Sequence, residues 1–377
     1  MFNAKFKILS FFILIALLPC SGNAQTISML FAGDAMQHHA QLDNAYNNGI
    51  YQYNNNFEAI KDEISLADIA VINFETTLGS KPYSGYPAFC SPTEFASALK
   101  NCGFDIFLTA NNHSLDRGSS GVFKTIKTLD SLKIKHLGTY NSQNERNIKH
   151  PFIIRKGNIK LGMLNYTYGT NGIVAKQGAV INYIDTTLIK RDIAFCKIKE
   201  CDIIIANMHW GDEYQLIPNI HQKKLSEWLH KNGVRIVIGS HPHVVQPIIA
   251  ETDSSGNIEN ITVFSLGNFI SNMKTKMTMG SIIFKLFVTK EQDKIKITNP
   301  QYSKIFTQRP DVVKNSNFAV IPCDSTTINN INLPQKLKQD MKIFNNEIDN
   351  LFNKHNKGEI IEYFFSKKSS HSCIKQK

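Results

Sequence analysis

Residues 202–209 have the sequence DIIIANMH, an apolar run of strand length that ends on a histidine. Four other segments share this design, an apolar run followed by an acidic, amide or imidazole side chain: residues 27–34 (ISMLFAGD), 69–75 (IAVINFE), 104–113 (FDIFLTANNH) and 234–241 (VRIVIGSH). Between them, apolar residues recur at helical spacing over residues 57–66, 93–101, 119–132, 185–199 and 218–231. Strands that alternate with helices in this way predict an α/β fold with a parallel sheet.

The pattern changes after about residue 245. Strand-like segments then follow one another with turns between them, at residues 245–250, 261–264, 281–288 and 295–302. A mixed or antiparallel sheet that follows a parallel one predicts two sheets packed face to face. We therefore expect a two-sheet sandwich flanked by helices over residues 25–305, and a basic, helical C-terminal extension over residues 306–377.

The composition limits the classes of function. Of the 377 residues, 42% are hydrophobic and 19% are charged, which is typical of a globular protein with a sizeable core. The formal net charge of +11 favours anionic partners, such as a phosphorylated small substrate or an acidic polymer. Lysine and arginine form no long runs and the sequence contains no nucleic-acid-binding module, so we expect no nucleic-acid partner.

The first residues have the pattern of an export signal. Two lysines precede an apolar stretch at residues 8–18, and small residues follow at 22–24. We predict a signal peptide over residues 1–24, cleavage after Ala24, and a periplasmic or cell-surface protein that associates peripherally with the cell envelope. Two alternatives stay open: lipidation at Cys20, where the preceding proline is a poor fit, and an uncleaved anchor, although a membrane span needs about 20 apolar residues. Six cysteines remain after cleavage, and their spacing leaves any disulfide pairing open.

The strand ends predict a metal site. Functional groups in open α/β sheets lie beyond the carboxyl ends of the strands, where this chain has acids, amides and at least four of its 12 histidines. Pro242 favours an extended backbone at His241, which would direct the imidazoles of His241 and His243 to the same side. Imidazoles combined with carboxylates suit Mn, Fe or Zn. The chain has no CxxC pair, so a zinc site formed by cysteines is not expected.

Six phrases resemble a known family in content and order: FAGDAM, VINFETTLG, LTANNHSLDRG, NMHWGDEY, GSHPHVVQP and FSLGNFI, at residues 31–36, 71–79, 108–118, 207–214, 239–247 and 264–270. Together they look like the CapA (poly-γ-glutamate capsule biosynthesis) family, a branch of the calcineurin-like metallophosphatase superfamily. The resemblance covers roughly residues 27–270. It implies a four-layer αββα sandwich, in agreement with the strand and helix pattern.

The resemblance also implies roles for individual residues. Glu75 takes the position of the carboxylate that bridges two metal ions, although the superfamily more often has aspartate there. One metal site would add Asn112, His209 and His241, and the other would add Asp34 and His243. His113 matches the general acid that protonates the leaving oxygen, and Asp116 is placed to orient it. Four further residues are expected to shape the substrate pocket: Trp210, Glu213, Tyr214 and Asn268.

Met36 is a departure from the superfamily pattern, which usually has a histidine ligand two residues after the first aspartate. A thioether suits Cu(I) better than Mn, Fe or Zn, so Met36 is not expected to bind the metal. We therefore expect one tight divalent ion and a second, weaker one. His38 or His39 would fill the gap in the weaker site, and His38 is the preferred candidate.

Two functions follow from these features. The first is metal-dependent hydrolysis of a phosphate ester, or a related bond, outside the cytoplasm in the synthesis or export of poly-γ-glutamate. The second is a non-catalytic binding or assembly protein for an anionic cell-surface polymer. Bound metal together with turnover of a generic phosphoester would favour the enzyme.

Overall fold

The structure is a computed structural model that describes residues 24–313, 316–330 and 332–365. The predicted export signal up to residue 23, with Cys20, and the end of the C-terminal extension from residue 366 lie outside these ranges.

The strands and helices occur in the expected alternation. The strands are β1 (Gln25–Ala35), β2 (Tyr46–Asn47), β3 (Ile50–Tyr51), β4 (Ile69–Phe74), β5 (Ile106–Leu108), β6 (Lys135–Leu137), β7 (Thr139–Tyr140), β8 (Phe152–Lys156), β9 (Ile159–Thr167), β10 (Val180–Ile181), β11 (Ile203–His209), β12 (Ile236–Ser240), β13 (Ile248–Thr252), β14 (Ile258–Val263), β15 (Gly280–Glu291), β16 (Lys294–Gln308), β17 (Ala319–Pro322) and β18 (Ile361–Glu362). The helices are α1 (His39–Ala45), α2 (Lys61–Ser65), α3 (Thr93–Cys102), α4 (Gly118–Ser131), α5 (Gln143–Lys149), α6 (Thr186–Ile198), α7 (Ile220–Lys231), α8 (Ser325–Ile328) and α9 (Gln335–His355).

The large sheet consists of two halves. In the first half, the parallel strands β6, β5, β4 and β1 are followed by the antiparallel strands β15 and β16. In the second half, β9, β11, β12 and β14 are parallel, and β8 and β13 are antiparallel to their neighbours. The two halves are joined where Ile258 of β14 pairs with Ile297 of β16. This topology is the parallel-then-antiparallel order that the sequence predicts.

The two halves pack face to face around a shared apolar core. Successive side chains of a strand point to opposite faces of the sheet, so every second residue belongs to one layer. Met29 and Phe31 of β1 lie in the same buried cluster as Met163 of β9 and Ile205 of β11. The predicted sandwich is therefore confirmed.

The outer faces of both halves are covered by helices. Leu30 of β1 and Ile72 of β4 pack with Leu99 of α3. In the second half, Ile204 of β11 packs with Ile193 of α6 and Leu229 of α7. These contacts complete four layers, helix, sheet, sheet and helix.

The C-terminal extension contains the expected helix, and that helix is part of the core. On α9, Leu337, Met341, Phe344 and Ile348 are spaced three or four residues apart and are buried in the cluster between the sheets. This spacing places them on one face of the helix. Strands β17 and β18, on either side of α9, both pair with β16.

Two further observations concern only the residues that the structure describes. Among them, no helix has both the length and the apolar character needed to cross a bilayer. Within the same ranges, five cysteines are free thiols: Cys90, Cys102, Cys196, Cys201 and Cys323.

Candidate metal centre

Two buried carboxylates lie at the carboxyl ends of β1 and β4. The side chains of Asp34 and Glu75 are fully buried, and their strands are parallel neighbours. Gly33 makes this placement possible, because a Cβ at that position would lie 1.8 Å from the carbonyl oxygen of Gly267. The close approach lets the backbone N–H of Asp34 donate to the same carbonyl oxygen at 2.9 Å.

Asn73 holds the two carboxylates together. Its Nδ2 donates to Asp34 Oδ1 at 2.8 Å and to Glu75 Oε2 at 3.1 Å. No role for Asn73 was expected from the sequence. The signal was present, because Asn73 is two residues before Glu75 and alternation along the chain places both on one side.

Three histidines surround these carboxylates. The Nε2 atom of His209 lies 2.8 Å from Asn112 Oδ1, and its Nδ1 lies 3.0 Å from Ser240 Oγ. The Nδ1 atom of His243 lies 3.1 Å from Asp34 Oδ2 and 3.0 Å from Asn268 Oδ1. The rings of His209 and His241 have centroids 4.8 Å apart.

The backbone at His241 and His243 differs from the prediction. Both residues have positive φ, 99° and 59°, so the expectation of an extended segment there is wrong. Such backbone geometry costs about 1–3 kcal/mol per residue and persists only when surrounding contacts enforce it. One such contact joins two loops, since the N–H of Tyr214 donates to the carbonyl oxygen of Pro242 at 2.8 Å. The turn still brings the rings of His241 and His243 to the same site, with centroids 5.9 Å apart.

One oxygen of Glu75 has the surroundings of a metal ligand. Glu75 Oε1 is buried and has no hydrogen-bond partner, yet His209 Nε2 and His243 Nε2 lie 3.9 and 3.8 Å away. These separations are too long for hydrogen bonds. They are short enough for one cation to bind the carboxylate oxygen and an imidazole nitrogen together, because zinc–nitrogen and zinc–oxygen bonds are about 2.0–2.2 Å long. The donor set therefore fits a divalent cation.

The electrostatics of these groups agree with that fit. Burial, and next the negative charge of Asp34, raise the pKa of Glu75 well above its ordinary value. Burial lowers the pKa of His209 well below its ordinary value and that of His241 to about 3. The imidazoles of His209 and His241 are therefore neutral near pH 7, as metal ligands must be. Among the described residues, no lysine or arginine forms an ion pair with Asp34 or Glu75, and a cation would supply the missing positive charge.

The donor atoms form two groups, and in each group the ligand atoms lie within 4.8 Å of one another. One group consists of Asp34, Glu75 and His209, and the other of Glu213, His241 and His243. The expected metal ligands of β1, β4, β11 and the 241–243 turn thus lie together, but the groups differ from the two expected sites, because Asp34 falls with His209 and His241 falls with His243. Glu213, expected as a substrate-contacting residue, lies among them.

His113 and Asp116 form a pair beside the centre. The carboxylate oxygen Asp116 Oδ2 lies 2.7 Å from His113 Nδ1, and it also accepts the backbone N–H of Phe89 at 2.7 Å. The segment is a turn in which the N–H of Asp116 donates to the carbonyl oxygen of His113. The Phe89 ring packs edge-on against His113, with centroids 4.6 Å apart. The pair therefore engages Nδ1 of the imidazole, and no described residue forms a hydrogen bond with Nε2.

The remaining predicted residues have different surroundings. Trp210 is buried and donates its Nε1–H to the carbonyl oxygen of Phe264, so the structure places it in the core beneath α6 and α7. Tyr214 is half exposed, and its ring lies 6.1 Å from that of His243. His38 belongs to neither donor group, and its Nδ1 accepts the N–H of Asn272.

An aromatic side chain that the sequence analysis missed lies at the mouth of the centre. Tyr168 follows β9, is 48% exposed, and its ring lies 4.5 Å from that of His241. No motif marked this residue, because the loop at 168–177 has no recognisable spacing.

The four-layer sandwich with a candidate metal centre at its strand ends is the architecture that the resemblance to the CapA family implies. The chain belongs to the bacterial capsule synthesis protein family PGA_cap, whose family model matches residues 28–273. The predicted resemblance is thus confirmed.

Two similar proteins are also named for capsule or PGA biosynthesis. The chain is 23% identical over 272 residues to the capsule biosynthesis protein CapA of Bacillus anthracis, an alignment that covers 69% of this chain and 63% of that protein. It is 28% identical over 201 residues to the PGA biosynthesis protein CapA of Bacillus subtilis, which covers 52% and 50% of the two chains. The chain thus spans between half and two thirds of the length of these relatives.

Among solved structures, the chain is similar to a putative 5′-nucleotidase of Staphylococcus aureus, with a TM-score of 0.49 and 14% identity over 85% of this chain and 58% of that one. It is also similar to the NAD nucleotidase of Haemophilus influenzae, with a TM-score of 0.47 and 12% identity over 86% of this chain and 63% of that one.

Proposed function

We propose that the protein is an exported, metal-dependent hydrolase that cleaves a phosphate ester or a related bond in capsule biosynthesis, in the synthesis or export of poly-γ-glutamate. The observation that carries the proposal is the unpartnered, buried Glu75 Oε1 between two imidazole nitrogens. A carboxylate in such a place is costly to bury unless a cation binds it. Family membership and the curated relatives supply the capsule context.

In this proposal, one set of residues binds the metal and a separate histidine donates the proton. The ligands for one or two divalent ions, Mn, Fe or Zn, are Asp34, Glu75, Asn112, His209, His241 and His243. A divalent ion in such a site lowers the pKa of a water molecule and offsets negative charge on the phosphoryl oxygens.

The proton for the leaving oxygen comes from His113. Asp116 holds Nδ1 of that imidazole, so Nε2 is the atom that can deliver the proton. Such general acids contribute about 10²–10⁴-fold to the rate. The positive charge of the chain favours an anionic polymer or a phosphorylated small substrate.

The test is metal-dependent turnover. The purified protein is stripped with a chelator and reloaded with Mn²⁺, Fe²⁺ or Zn²⁺, and hydrolysis of bis-p-nitrophenyl phosphate and p-nitrophenyl phosphate is measured. We expect activity only in loaded samples, and its loss in Glu75→Gln. The matched control is Glu227→Gln, which makes the same change at an exposed position on α7.

A different result would select the second function. A protein that binds no metal, cleaves neither substrate and still binds poly-γ-glutamate is a polymer-binding or assembly protein. Export is tested separately, by fractionating cells and sequencing the N-terminus of the mature protein, which we expect to begin at Gln25. Release of the protein from membranes by high salt would indicate peripheral association with the cell envelope.

A further inference from the structure

The loop that follows β11 carries a carboxylate toward the metal centre. Glu213 lies between Gly211 and Tyr214, which have positive φ values of 88° and 66°. Glycine suits position 211 because a φ of 88° is strained for other residues, and a Cβ there would also lie 2.6 Å from the side chain of Gln222 on α7. The N–H of Tyr214 donates to the carbonyl oxygen of Pro242, which ties the loop to the turn that carries two histidines.

The atoms around Glu213 form a ligand set. A carboxylate oxygen of Glu213 and one ring nitrogen each of His241 and His243 lie within 4.8 Å of one another. A second observation concerns the same histidine, because Nδ1 of His241 is buried without a hydrogen-bond partner among the described residues and the residue is only 3% exposed. Two imidazoles and one carboxylate are a common protein ligand set for Zn and Fe(II).

We propose that Glu213 is a metal ligand, and that with His241 and His243 it forms the outer cation site of the centre. This inference rests on the proposed function, since it concerns the same metal centre. The outer site faces solvent on the side of Glu213, which is exposed, so positions remain for water or substrate.

The negative charge of Glu213 favours a role as a metal ligand over the substrate contact that the sequence suggests. A bare carboxylate that faces a phosphate or another anion raises the energy of binding, because like charges repel. With a cation between them, the carboxylate and the anion bind the same ion from two sides. Glu213 is therefore better placed as a ligand than as a direct contact of an anionic substrate.

The test is a metal titration of the full chain after chelator treatment. Mn²⁺ binding to the wild type, Glu213→Gln and Asp212→Asn is measured by calorimetry and by the electron spin resonance of free Mn²⁺. Asp212 is the matched control, since it is an exposed acid on the same loop whose carboxylate only accepts a hydrogen bond from Asn219. Melting of the three proteins in chelator establishes that all are equally folded.

In the wild type we expect one tight and one weaker Mn²⁺ ion. Glu213→Gln should weaken the second ion at least about 100-fold, the upper end of the loss seen for groups that only support a ligand. The tight ion should be unaffected, and Asp212→Asn should resemble the wild type.

The inference is overturned if Glu213→Gln leaves every Kd unchanged, or if Asp212→Asn weakens binding as much, since the loop charge alone would then explain the effect. Loss of turnover with unchanged metal binding would also overturn it and make Glu213 a substrate contact. In each of these cases the proposed function stands. A wild type that binds no Mn²⁺, Fe²⁺ or Zn²⁺ refutes both.

Discussion

Replacing His113 by alanine tests the proposed chemistry most directly. The imidazole is buried, its Nδ1 is held by Asp116 at 2.7 Å, and it belongs to neither donor group of the centre. It is therefore placed to transfer a proton and is not placed to bind the metal. For an alkyl leaving group we expect a loss of about 10²–10⁴-fold in kcat/KM, which corresponds to about 3–5 kcal/mol of transition-state stabilisation.

The assay compares two leaving groups. Nitrophenolate leaves readily without a proton, so His113→Ala should slow bis-p-nitrophenyl phosphate far less than a methyl phosphodiester. Metal content, measured by elemental analysis, should equal that of the wild type. His136→Ala is the control, because His136 is also paired with an aspartate, through Nε2 at 3.1 Å from Asp130 Oδ1, but lies outside the centre.

Two results would refute the role of His113. Equal losses for both leaving groups would mean that the imidazole does not protonate the leaving oxygen. A fall in metal content would mean that it is a ligand. Asp116→Asn adds a further check, because it removes the carboxylate that orients His113. We expect this variant also to lose more activity with the methyl phosphodiester than with bis-p-nitrophenyl phosphate, but to a smaller extent than His113→Ala.

Three other changes have definite expected outcomes. Glu75→Gln should abolish turnover and binding of the tight ion, because Glu75 Oε1 lies within 4 Å of two imidazole nitrogens, while circular dichroism shows an intact fold; an unchanged tight ion would contradict the assignment. His38→Ala should leave metal stoichiometry and affinity unchanged, because His38 belongs to neither group of donor atoms; weaker binding of the second ion in calorimetry would make His38 a ligand. Gly239→Ala should destabilise the protein by about 1–3 kcal/mol in urea unfolding, because its Cβ would lie 1.9 Å from the carbonyl oxygen of Phe264. Gly169→Ala, which has no atom within 4 Å of its Cβ, should be neutral, and equal effects of the two glycine changes would refute the steric argument.

The parts of the centre that the sequence predicted share one property. Asp34, Glu75 and His209 each come at or just after the end of a buried parallel strand, and the carboxyl ends of such strands meet at one edge. The length of each apolar run and the polar residue that ends it can both be read from the sequence. The same alternation along β4 directs Asn73, two residues before Glu75, to the side of the carboxylates, where it donates to Glu75 Oε2.

The sequence by itself determined the alternating layers and the kinds of donor atom, because periodicity and residue chemistry are local properties of the chain. Only the tertiary structure decided which donors meet, because that depends on packing between residues far apart in sequence. Asp34 and His243 are in contact because the two halves of the sheet face each other. The turn at His241 departs from the extended form, and a hydrogen bond from the N–H of Tyr214 to Pro242 joins this turn to the loop after β11. The same loop places Glu213 beside both histidines of that turn, and His38 turns its Nδ1 to Asn272.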